Sequence, residues 1–207
     1  MGSITASLFE RAYRILLVLL IFSFFLLSLT ILGGGFKLMS KDLVDSFFGA
    51  TDNPVVSLFI GLFATALLQS SSTTTSIIVT LVATGTLTFP NAIPMIMGAN
   101  IGTSVTSTIV ALGHIHSKDE FRHAVSAATV HDFFNILVVS FLLPLELITG
   151  FLSKSAIYIT SLLPIFDGSS KGFSLLDATI KPVASWMIEL LGANPLLVLP
   201  LALVLLV

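Results

Sequence analysis

The stretch 53–89, NPVVSLFIGLFATALLQSSSTTTSIIVTLVATGTLTF, decides the fold. Asn53-Pro54 opens an apolar run, Val55 to Leu68, that stops at the polar segment Gln69 to Ser76. A second apolar run, Ile77 to Phe89, follows. As an α-helix the first run is about 21 Å long, short of the ~30 Å of hydrocarbon in a bilayer. Two half-length helices joined by a polar tip read as a re-entrant hairpin, which membranes tolerate only where protein or water shelters the tip. One long helix with a hydroxyl-rich middle is the alternative that pattern alone leaves open.

The rest of the chain suits a membrane. Of its 207 residues 55% are hydrophobic and only 10% charged, against about a quarter charged in soluble domains. This is membrane composition, and a net charge of −2 gives no footprint for nucleic acid. With no cysteine, disulfides and thiolate metal sites are excluded. Upstream, Ile15 to Leu32 is long enough to span. Arg11 and Arg14 precede it as in a signal peptide, but Gly33-Gly34-Gly35 followed by Phe36 and Lys37 is a poor cleavage site, so a retained transmembrane helix is expected. Those two arginines favour a cytoplasmic N-terminus. Gly33 to Asn53, with Lys37, Lys41, Asp42, Asp45 and Asp52, reads as a polar connector with a short surface helix over Leu38 to Phe48.

Downstream, Pro90 begins a third apolar stretch, Ala92 to Leu112, interrupted by Gly98-Ala99-Asn100-Ile101-Gly102-Thr103-Ser104. Two glycines around an asparagine predict a broken transmembrane helix whose unwound backbone faces a ligand. A polar loop with His114, His116, Lys118, Asp119, Glu120, Arg122 and His123 follows; it reads as solvated, without a metal-binding constellation. The next helix, about Ala124 to Leu143, carries Thr129, His131, Asp132 and Asn135, and Glu146 after Pro144 is placed at the membrane edge. Leu147 to Leu163 and Leu175 to Leu191 read as amphipathic or interfacial, around a linker at Asp167-Gly168-Ser169-Ser170. Pro195 to Val207 is too short to span, and its composition resembles Ile15 to Leu27.

The expected fold is an all-α integral membrane protein with a re-entrant helical hairpin and a broken transmembrane helix, one half of an inverted-repeat transporter. Residues 1–53 form the N-terminal transmembrane helix and connector. Residues 54–150 form the transport-site repeat and 151–194 an extramembrane or interfacial connector. Residues 195–207 begin a further transmembrane helix, and the coding sequence is expected to continue past Val207 with a second copy of the motifs.

No lysine or arginine lies in the predicted membrane core. An anion there must be held by hydroxyls, backbone N–H groups, helix N-termini or co-bound cations. The serine and threonine cluster supplies hydroxyls at the tip, where the dipole of the helix from Ile77 also points. That environment suits a tetrahedral oxyanion, and its oxygens suit a hard cation such as sodium. The same hydroxyls also serve helix packing, and Asn100 also reads as a helix break satisfied by neighbours. Asp132 is the one acid well inside a predicted span; an intramembrane carboxylate is costly and is a functional candidate by default. A partnership with His131, or a position nearer the interface, remains open for it. Asn135 lies on the same helix face.

Three segments together resemble the type II sodium–phosphate cotransporter family. They are Gln69-Ser70-Ser71-Ser72-Thr73 with Ser76-Ile77-Ile78-Val79; Gly98 through Thr106 to Leu112; and Glu120-Phe121-Arg122 continuing to Ala128-Thr129-Val130-His131-Asp132-Phe133-Phe134-Asn135. Leu143-Pro144-Leu145-Glu146 extends the likeness, which covers roughly residues 54 to 150, and Ile180-Lys181-Pro182 resembles the end of the family's large outer loop. The resemblance implies two inverted repeats, each with a Gln-Ser-Ser-Ser hairpin, facing one another around the substrate. Gln69 to Thr73 are then one wall of the site, and Asp132 matches an acidic position associated with an additional sodium and electrogenic transport. Ser126 departs from the alanine usual in electrogenic members, whereas Ala128 fits. The short outer loop without cysteines points to a bacterial member.

The function expected is sodium-coupled uptake of inorganic phosphate, electrogenic, by a multi-pass protein of the cell membrane, without enzymatic activity or cofactor. Phosphate-binding candidates are Ser70, Ser71, Ser72, Thr73, Asn100 and Thr103. Sodium-binding candidates are Gln69, Ser71, Asn100, Thr108, Asp132 and Asn135, with sodium the only metal. Partners are the bilayer and a second repeat, in the same chain or a second copy. Rival readings are a sodium-coupled transporter of another small oxyanion, and a channel using Gly-Ala-Asn-Ile-Gly-Thr as its filter. An intramembrane serine hydrolase would rely on His131, taken as buried, but the chain has no Gly-x-Ser-x-Gly elbow. A purely structural subunit would have no need of the polar tip.

Overall fold

The computed structural model describes residues 2–40, 42, 44, 49–113, 118–163 and 179–206, which form helices joined by short turns and single extended residues. Helix α1 (Gly2–Leu38) contains the expected first span. It also takes in Gly33 to Leu38, which were expected in the connector. Packing explains the extension: Gly34 lies against the Ile188 side chain, and Gly35 against Val198 and Leu199. Most of the surface helix expected over Leu38 to Phe48 lies outside the described residues, as do His114, His116 and the Asp167–Ser170 linker.

A 3-10 turn (Gly49–Asp52) leads into α2 (Pro54–Leu68). The α2 start is doubly specified: Asn53 Oδ1 accepts from Val55 N at 3.0 Å and Val56 N at 3.4 Å, and Pro54 occupies the first turn, where its missing N–H costs nothing. The helix stops at Gln69, in left-handed conformation at φ 55°. Ser70 is extended and caps α3 (Ser71–Ala83), its Oγ accepting from Thr73 N at 3.2 Å.

Two helices therefore form, as the half-length reading expected, rather than one long helix. The polar segment, however, is a tip only at Gln69 and Ser70. Ser71 to Ser76 are helical, because Ser70 is a strong N-cap and Thr74 Oγ1 bonds back to the Ser70 carbonyl at 3.0 Å. Helix α3 thus begins at Ser71, not Ile77, and ends before the turn containing Gly85.

The expected break at residues 98–104 is absent: α4 (Phe89–Leu112) is continuous. Its glycines serve close packing instead. A Cβ on Gly98 would overlap the Leu58 carbonyl, and one on Gly61 would overlap the Met95 carbonyl. At Gly102 it would stand 2.6 Å from the Leu62 carbonyl oxygen and 2.7 Å from Thr65 Cβ. Successive contacts advance in the same direction along both chains, so α2 and α4 run parallel with their backbones almost touching, a small-residue seam of the kind membrane helices use. With α4 wound throughout, the stretch 98–104 offers no unwound run of carbonyls for the filter of the channel reading.

Helix α5 (Lys118–Thr149) exceeds the expected Ala124 to Leu143 and runs through Pro144. Helix α6 (Phe151–Leu162) follows one residue later, then α7 (Lys181–Leu190) and α8 (Pro195–Leu206). Among the described residues, three helical segments are long and apolar enough to cross a membrane: Glu10–Leu38, Phe89–Ala111 and Phe121–Thr149. Helices α2 and α3, with 15 and 13 residues, are not among them.

The chain divides into two compact units. One comprises Met1–Met39 and Gly172–Val207. There α8 packs antiparallel on α1, with Ile31, Leu32 and Val198 buried and Ser28 Oγ donating to the Ala202 carbonyl at 2.9 Å. The other, Ser40–Lys171, holds α2 to α6. Its core joins Ile93, Met97, Ile101 and Val139 to Leu58, Leu62, Val105, Leu142, Leu143 and Leu152.

Candidate functional site

Helix α5 lies antiparallel against α4 and brings four of the sodium-binding candidates together in two pairs. Thr108 Oγ1 donates to Asp132 Oδ2 at 2.5 Å, and Asn135 Nδ2 donates to the Asn100 carbonyl at 3.4 Å. The second Asp132 oxygen, Oδ1, is buried and has no hydrogen-bond partner. A buried carboxylate oxygen left bare costs more than a typical hydrogen bond gains, and a cation is the ligand that best offsets it. Next to it, His131 is exposed, not buried as the hydrolase reading required.

The parallel seam fixes the hairpin's depth. Thr65 sits beside Gly102. Gln69 is one helical turn past Thr65, about 6 Å along the axis, and Thr108 lies about 9 Å past Gly102. The tip and the Thr108–Asp132 pair therefore lie within about a turn of the same depth.

At the tip, the groups bond locally. Gln69 Nε2 donates to the Ala66 carbonyl, and Ser70 Oγ and its carbonyl are taken by Thr73 N and Thr74 Oγ1. Ser71 is half-buried, Ser72 exposed and Thr73 buried. On α4, Thr103 Oγ1 bonds the Ala99 carbonyl at 3.2 Å, and Asn100 is exposed. The candidates thus form two groups: Gln69 to Thr73 at the tip, and Asn100, Thr103, Thr108, Asp132 and Asn135 spread over about 12 Å of α4 and the facing part of α5, with the Thr108–Asp132 end nearest the depth of the tip. Hydroxyls at the hairpin tip and the exposed Asn100 amide are chemically suited to an oxyanion; the Asp132 carboxylate is suited to a cation.

One group escaped the sequence reading, and a second was seen without its role. Thr65, 1% exposed, has a buried Oγ1 with no partner; it resembles an ordinary membrane-helix threonine, and only its seat against Gly102 singles it out. Glu146, placed by sequence at the membrane edge, is 8% exposed. Its Oε2 accepts from Leu152 N at 2.6 Å and Ser153 N at 3.3 Å, and Oε1 accepts from Ser153 Oγ. It caps α6, whose own N-cap residue, Gly150, has no side chain to do so.

A family model described as Na+/Pi-cotransporter matches residues 24–163. The chain is 43% identical over 188 residues to sodium-dependent phosphate transport protein 2B of Pongo abelii, and 42% identical over 185 residues to the protein of that name in Homo sapiens. Each alignment covers 88% of this chain and 27% of the relative. Sodium-dependent phosphate transport protein 2A of Mus musculus is 46% identical over 145 residues, 69% of this chain and 23% of that protein. The chain spans about a quarter of the length of these relatives. No solved structure matches it.

Proposed function

The chain belongs to the Na+/Pi-cotransporter family, and from that premise we propose that it forms one wall of the site of a sodium-coupled phosphate symporter in the cell membrane. The observation that carries this reading is the bare Asp132 Oδ1 beside Thr108, at the depth of the hydroxyl-bearing hairpin tip. Sodium ions are held at two places along α4 and α5, one at Asp132 and Thr108 and one at Asn135 and Asn100, with Gln69 and Ser71 contributing from the tip. Phosphate is held by Ser70, Ser71, Ser72 and Thr73, by Asn100 and Thr103, and by the sodium ions beside it. The α2–α3 hairpin is re-entrant: helices of 15 and 13 residues reach only part way through the bilayer. A second copy of the hairpin, in the same polypeptide or in a second subunit, supplies the facing wall.

Phosphate is largely divalent near neutral pH. Two sodium ions neutralise it and a third leaves one positive charge moving inward. That charge gains about 2.3 kcal/mol per 100 mV, more than the ~1.4 kcal/mol of a tenfold concentration gradient. Asp132 is the group with a formal charge to hold the third ion. The test is phosphate uptake by proteoliposomes containing the full-length protein. Uptake is expected to require an inward sodium gradient; equal uptake with potassium or choline in its place would sink the assignment.

A further inference from the structure

The strongest feature that this reading leaves unused is the Thr65 hydroxyl. A helical threonine ordinarily bonds the carbonyl three or four residues back, as Thr74, Thr80 and Thr103 do here. Thr65 Oγ1 does not: it is buried and without a partner, on a residue 1% exposed. The residue is tightly held: a Cβ on Gly102 would stand 2.7 Å from Thr65 Cβ and 3.2 Å from its Cγ2 methyl, so the methyl packs on α4 and the bare oxygen is left to a ligand. The position is also electrostatically biased. Thr65 is one turn from the C-terminus of α2, where the helix dipole is negative, and α2 ends inside the chain at the left-handed Gln69. Half-helix C-termini of this kind attract cations in transporters. Asp132 lies elsewhere, on α5, and its Oδ2 is engaged by Thr108 about 9 Å farther along α4.

We propose that the Thr65 hydroxyl is an oxygen ligand of a sodium ion held near the C-terminal end of α2, one turn before the hairpin tip and apart from Asp132. This rests on the sodium-coupled reading above.

Thr65→Val keeps the shape and removes the oxygen; Thr65→Ser keeps the oxygen. Both are made in the full-length protein and read in two ways: the sodium concentration giving half-maximal phosphate uptake, and the rise in Tm that sodium chloride gives over choline chloride in detergent. Thr65→Val is expected to raise the half-maximal sodium concentration at least about tenfold, the loss of one bond to a charged group. It should also shrink the sodium-induced Tm rise while leaving Tm in choline no lower than wild type. Thr65→Ser should restore both. A Thr65→Val protein with wild-type sodium dependence overturns the proposal, and so does one that loses Tm in choline with its sodium response intact, since the hydroxyl would then be structural. If wild type shows no sodium-driven uptake, the transport reading fails, and the sodium Tm shift of the variants still decides this inference.

Discussion

At the scale of single residues, Asp132 and Glu146 show how a membrane carboxylate is read by its partners. Both lie on α5 and both were visible in the sequence as acids near a span. Glu146 is fully engaged by the start of α6, whereas Asp132 keeps one bare oxygen. Glu146→Leu should therefore act on stability, leaving Leu152 N and Ser153 N without their acceptor. A loss of about 2 kcal/mol or more is expected, seen as a lowered Tm in detergent; an unchanged Tm would show that water replaces the carboxylate. Asp132→Gly should act on charge. Phosphate flux measured at several imposed potentials is expected to be voltage-sensitive in wild type and insensitive in the variant, with phosphate binding retained. Equal voltage sensitivity in both would remove Asp132 from this role. The alternative of an Asp132–His131 partnership finds no support in the geometry, since His131 faces outward.

At the scale of elements, the hairpin and the α2–α4 seam carry separate tests. Ser72 is exposed on the first turn of α3, so Ser72→Trp should leave the fold intact while filling the space a substrate needs. Uptake should fall to background with a Tm within a few degrees of wild type; normal phosphate affinity and rate would exclude the tip from the site. Gly98→Ala should do the reverse. Its methyl has nowhere to go against the Leu58 carbonyl, so the helices must separate, at a cost of about 1–3 kcal/mol. Gly49→Ala, with open space around it, is the neutral comparison, and equal Tm values for the two variants would refute the seam. The sequence showed the glycines of α4 clearly but not their purpose. A glycine pair around Asn100 looks alike whether the helix breaks or another helix presses against it, and only α2 in its place distinguishes the two.

At the scale of the whole molecule, the proposed second wall makes a prediction about distance. Single cysteines at Ser72 and at the equivalent tip of the second hairpin, in a chain without native cysteine over these 207 residues, should crosslink with a short bifunctional reagent, and phosphate with sodium should slow the reaction. Failure to crosslink with reagents of any length would place the two hairpins apart. What the sequence determined by itself is everything set by composition and local chemistry. The apolar runs made the chain helical and membrane-suited, because backbone polar groups in lipid must be satisfied within the segment. Asn53-Pro54 and Gln69-Ser70 fixed where α2 starts and where the hairpin turns, because caps act over three or four residues. The ordered motifs carried the family. What only the tertiary structure decided is what depends on a neighbour distant in the chain: the unbroken α4, the depth of the tip relative to Asp132, the burial of Glu146 and the bare hydroxyl of Thr65. A side chain's own pattern is blind to these, because burial and unmet hydrogen bonds belong to the packed pair and not to either helix alone.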